Sequence, residues 1–122
     1  MIDERTQEPP PPGCRVRTLD HLLRIREDAL KGRVAMHIGD IDVDRLRSFV
    51  DGYNACLAAN GCDNREYGLF REWLRERGEF PVEGWAIHFL RQCGGDHEKA
   101  IRKYLDSVAE FVALHRARAA TK

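Results

Sequence analysis

No stretch of this chain approaches the roughly 18 consecutive apolar residues that a membrane-spanning helix needs. Neither charge sign is in excess, with Lys plus Arg and Asp plus Glu at 20 each. A dedicated nucleic-acid binder carries a clear basic surplus, so no nucleic-acid partner is expected. There is no Cys-x-x-Cys, the pairing that structural zinc sites favour. Serine occurs only at Ser48 and Ser107, and neither sits in a glycine elbow that would present a nucleophile. Residues 1–13 contain no apolar stretch and do not read as a secretory signal, which makes the cytoplasm the expected location.

What is present is an ordinary globular composition. The chain has 122 residues, 43% hydrophobic and 33% charged, enough for one domain with a real core. The run Pro9 to Pro12 marks residues 1–13 as a disordered or polyproline-like tail. A single helical domain is expected over 14–114, followed by a frayed polar end over 115–122. The four cysteines, Cys14, Cys56, Cys62 and Cys93, read as reduced thiols. Cys56 and Cys93 fall in apolar helical patterns, where cysteine acts as a small hydrophobe.

Apolar spacing then predicts an all-α bundle of about five helices. The first runs from Thr18, a suitable cap, to about Leu30, with Leu19, Leu22, Leu23 and Leu30 on its inner face and Ile25 and Ala29 beside it. Residues 33–39 read as a short extended connector. The second helix covers 43–60, with Asp42 as N-cap, an Ile41–Leu46 staple and Val43, Leu46, Val50, Tyr53 and Leu57 inward. The third opens on an Asp63–Glu66 capping box and ends at Gly78; the fourth spans about Val82 to Cys93. Asp96 caps the fifth, whose stripe runs from Ile101 to Val112.

Asp40, Asp42 and Asp44 begin like a calcium loop, but Arg45 stands where such a loop needs Gly. Acidic groups placed against the positive end of a helix dipole explain them better, and no metal or other cofactor is expected. Cys56 and Cys62 are separated by five residues and Cys93 and His97 by three, while His21, His37, His88 and His115 are scattered, so ordinary core or surface histidines are the expectation. Arg71, Arg75 and Arg77 alternate with Glu72 and Glu76, the pattern of a solvated ion-paired face.

Lys31-Gly-Arg-Val-Ala-Met-His-Ile-Gly-Asp40 resembles a segment near the start of gyrase-type ATPase domains. Val34, Ala35 and His37 depart from that pattern, and the chain is too short for that fold. A second resemblance is to a family of short bacterial helical proteins with a Met-x-[Ile/Leu]-Gly connector and a Leu-x-x-Phe-x-x-Gly-Tyr helix. Met36-His37-Ile38-Gly39 and Leu46 to Tyr53 carry it here, with Phe70 to Trp73 and Gly84-Trp85-Ala86 downstream. The resemblance implies a non-enzymatic module that binds a protein, of the immunity or antitoxin kind, acting by occlusion. The acidic residues Asp40, Asp42, Asp44 and Asp51 are the first candidates for the binding surface. The alternative is a small enzyme or accessory subunit with a pocket between helices, built around His37, His88 and Cys93. Self-association stays open. Gly52, inside the second helix, suggests close packing of the 36–39 connector over it, with Gly52→Leu unfolding the protein.

Overall fold

The structure, a computed structural model, describes residues 15–120. The expected Pro-rich tail and residues 121–122 lie outside the described residues. Among the described residues there are six helices and no strand: α1 (Thr18–Leu30), α2 (Ala35–Ile38), α3 (Val43–Ala59), α4 (Arg65–Glu76), α5 (Trp85–Gln92) and α6 (His97–Ala120). None of them is long and apolar enough to cross a membrane.

The apolar stripes meet around α6, which packs against α1, α3, α4 and α5. Leu22, Ile25, Leu46, Phe70, Phe89 and Tyr104 are among the side chains closed off from solvent. Tyr104 stacks on Trp85, with ring centroids 3.6 Å apart and planes within 8°. Phe70 meets Tyr104 and Phe111 at 5.8 and 5.6 Å. Aromatic rings bury large areas and favour offset or edge contacts, so this half is a dense apolar anchor.

A polar pin joins α1 to α3. Thr18 Oγ1 is hydrogen-bonded to Asn54 Oδ1, and Asn64 Nδ2 donates to both oxygens at 3.0 and 2.9 Å. Thr18 is therefore drawn inward as the first helical residue, and Arg17 takes the cap position expected for Thr18. Tyr53 stands partly buried beside this pin, its hydroxyl donating to Val16 O at 2.5 Å.

Several expectations need correction. Residues 35–38 are a helical turn and not an extended connector. Val34 and Ile38, four residues apart, are both buried, and helical geometry puts such a pair on one side. Asn64, not Asp63, occupies the α4 cap, and Glu66 is drawn across to Arg116 instead of back to the cap. Helix α5 starts at Trp85, because Gly84 holds φ at +98°. Helix α6 continues through 115–120 rather than fraying. Arg116 ties it to Glu66 and Asp20 at 2.9 and 2.8 Å, and those carboxylates hold its guanidinium firmly protonated. Gly52 is exposed with nothing within 4 Å of a Cβ, so no segment packs over it. Cys62 is disulfide-bonded, against the expectation of reduced thiols, whereas Cys56 and Cys93 are free. Cys56 is exposed rather than apolar filling.

Candidate protein-binding corner

Burial of Val34 and Ile38 turns the middle of α2 outward. Met36 is 73% exposed; Leu30, expected on the inner face of α1, is 51% exposed at the end of that helix, and Ile41, on the other side of α2 in the chain, is 41% exposed. The expected Ile41 staple therefore leaves much of that side chain in water. Three large apolar side chains around one short turn are the feature that composition and spacing had not picked out. The signal was present, since a helical turn pinned at 34 and 38 must aim residue 36 away.

Directional contacts fix the pose of this turn. His37 Nε2 lies 2.7 Å from Asp28 Oδ2, linking α2 to α1. That hydrogen bond holds the Asp28 carboxyl below the usual carboxylate range. The His21 ring meets the His37 ring edge-on at 6.0 Å and stacks on Tyr53 and Phe49 at 5.0 and 5.4 Å. Burial, with the His37 and Arg24 charges behind it, pushes the His21 pKa down. Gly39 closes α2 with φ at +87°, and its N–H donates to Ala35 O at 2.8 Å. A Cβ there would stand 3.0 Å from Arg45 Nη1, which itself donates to Ile38 O at 3.4 Å.

The acidic candidates have local duties. Asp42 caps α3, accepting from Asp44 N at 2.8 Å and Arg45 N at 3.3 Å, as the sequence predicts. His97 Nδ1 accepts from Val43 N at 3.1 Å and sits 3.9 Å from the Asp42 carboxylate. Arg47 is shared by Asp44 and Asp51 at 2.8 and 3.0 Å, which cancels part of their charge. Asp40 accepts from Ile41 N at 2.7 Å, and among the described residues no ion pair is formed with it. Three of the carboxylates, Asp40, Asp42 and Asp44, thus rim the corner, and Asp51 lies one turn further along α3 beyond Arg47.

Two hollows lie on the surface nearby or opposite. One, of about 430 Å³, is lined by His37, Ile38, Asp42, Arg45, Ser48 and Phe49 and opens beside α2. The other, of about 750 Å³, lies along α6 and includes Cys93, Lys99, Arg102, Lys103, Asp106 and Glu110. His37 lines the first and Cys93 the second. His88 lines neither, and its ring sits 3.0 Å from Gln92 Nε2 one turn on. Among the described residues no three His, Cys, Asp or Glu side chains are arranged to hold a metal ion. Of the three arginines at 71, 75 and 77, Arg75 pairs with Glu72, and Arg77 pairs with Glu110 at 3.5 Å while its guanidinium covers Trp73 at 4.3 Å; Arg71 stands over the Tyr67 ring at 6.0 Å. Comparison with family models, curated proteins and solved structures gives no match.

Proposed function

We propose that this chain is a protein-binding module whose contact surface is the α2 corner. The observation that carries the reading is Met36, a large apolar side chain held 73% exposed on a turn that three hydrogen-bonded contacts orient. A polar-rimmed apolar projection is what an interface centre needs, and a few such anchors supply most binding energy. The rim carboxylates Asp40 and Asp42 fit a partner whose apolar pocket is flanked by basic groups. Occlusion of such a partner, in the manner of an immunity or antitoxin protein, is the form of action this surface suits. A cytoplasmic setting belongs to the same reading; a disulfide at Cys62 would there be of the transient, redox-responsive kind.

The test is capture from the native host with tagged wild-type protein and with Met36→Glu, followed by titration of whichever protein is retained. One stoichiometric partner is expected, with Met36→Glu weakening it by about 2 kcal/mol, roughly thirtyfold in Kd. Asp40→Asn should flatten the salt dependence of the same binding without altering the fold. Full binding by Met36→Glu would remove the corner as the contact surface. Wild-type protein that retains no partner would remove the module reading itself.

A further inference from the structure

The hollow of about 750 Å³ runs along the solvent side of α6, walled by Arg77 and Glu79 at the end of α4 and by Cys93 at the end of α5. That volume is in the range of small-molecule sites. None of its lining residues belongs to α2 or α3, so it is separate from the α2 corner. Most of its charges are already served. Asp106 pairs with Arg26 at 2.9 Å and Glu110 with Arg77 at 3.5 Å. Lys103 is hydrogen-bonded to the Gln92 amide oxygen and lies 5.6 Å from the centre of the Phe89 ring. Lys99 and Glu98 are exposed, where water solvates them. Two groups of opposite sign are served by neither protein nor open water. Arg102 is partly buried, its side chain forms no ion pair or hydrogen bond among the described residues, and its Nε is closed off from solvent without an acceptor. The Glu79 side chain is 16% exposed and meets only Arg77, at 3.7 Å, a cation it shares with Glu110. Charged groups withdrawn from water without a partner carry an uncompensated desolvation cost. Glu79 and Arg102 line the same hollow, yet no ion pair joins them, so a gap lies between them.

We propose that this hollow binds a small zwitterion of amino-acid type, with its carboxylate on the Arg102 guanidinium and its ammonium on Glu79. The planar fork of an arginine matches a carboxylate and makes charge-assisted hydrogen bonds to it. A ligand carrying both charges answers both unserved groups at once. A ligand of single charge leaves one of them as it was. A polyanion such as a nucleotide is disfavoured, because five carboxylates line the hollow against four cations. The remaining room takes a side chain or a second residue, so the class extends to a short peptide.

The test is an NMR titration of the isotope-labelled full chain, reading backbone amides and the arginine Nε–H signals. Glycine, β-alanine, γ-aminobutyrate and glycylglycine hold a carboxylate and an ammonium at increasing separation. Acetate and methylammonium carry one charge each. At least one of the zwitterions is expected to shift the Arg102 Nε–H and the amides of Cys93 and Lys99 saturably, with a Kd on the order of 1 mM. Acetate and methylammonium should bind at least about tenfold more weakly. Arg102→Gln and Glu79→Gln should each raise the Kd by about tenfold, while the rest of the spectrum stays in place and shows the fold intact. Absence of saturable shifts with all four zwitterions up to about 20 mM, twenty times the expected Kd, would overturn the proposal. So would acetate binding as tightly as the best zwitterion, or either variant binding it with unchanged affinity.

Discussion

The two ends of this bundle share one apolar core but differ in what is added to it. Around α4, α5 and α6, aromatic rings close on one another, with Trp85 against Tyr104 and Phe70 between Tyr104 and Phe111. Around α1, α2 and α3, Leu22, Ile25, Leu46 and Val50 join the same core, and polar contacts such as His37–Asp28 and Thr18–Asn54–Asn64 are added to it, while Met36 is left in water. Apolar burial is roughly proportional to area and indifferent to direction, so it supplies stability. Hydrogen bonds add little net stability but fix orientation. The contrast teaches that burial throughout the core makes the fold stable, and that the polar contacts added at the α1–α3 end set the shape of an exposed surface.

The largest test of that contrast is Phe89→Ala. Phe89 is fully buried, and its truncation should cost about 3–5 kcal/mol in urea unfolding. Met36→Ala should stay within about 0.5 kcal/mol, as surface changes do. Comparable losses at the two positions would erase the distinction.

A smaller effect of opposite sign is expected at Gly52, on the exposed side of α3. With nothing to clash and no positive φ, Gly52→Ala should raise stability by up to about 1 kcal/mol, since Ala loses less conformational freedom in a helix. A lower melting temperature would show that something does cover this position.

The smallest effect concerns pH. The folded protein holds the His21 pKa below its unfolded value of about 6.5. The stability tied to His21 is therefore complete above that value and declines as pH falls through it, because the unfolded chain takes up a proton that the folded chain resists. Asp28 is also shifted down, below the usual carboxylate range, so its contribution is present above that range and is lost only under more acid conditions. Melting temperatures between about pH 7 and 5 should fall more steeply for wild type than for His21→Gln. Parallel curves would sharpen the contrast differently, by showing that the His21 stack is open enough to water to titrate freely.

The all-helical bundle was legible in the spacing of apolar residues, and the helix stops at Gly32, Gly61, Gly78 and Gly94 were legible as glycines after periodic runs. Each has a positive φ. The cap at Asp42 was legible too, because its chemistry is local. Helix α2 was not, since four residues are too few to display a period, and its helicity follows from burying Val34 and Ile38 against neighbours distant in sequence. The Asp63–Glu66 capping box failed because Arg116, fifty residues away, competes for Glu66 and wins with two contacts. The charge of the acidic candidates was overstated from the sequence. Arg47, at helical spacing from both Asp44 and Asp51, was there to be read as their partner.

By itself the sequence determined which segments coil, where most of them stop and which faces turn inward, because those outcomes depend on residues within a turn or two of one another. Only the tertiary structure decided the rest. It bent 35–38 into a helix that exposes Met36, sent His37 to Asp28, and held the end of α6 through Arg116. It also put Cys62 into a disulfide and left Cys56 as a free, exposed thiol. These depend on which side chains meet across the fold, and packing sets that pairing where periodicity cannot.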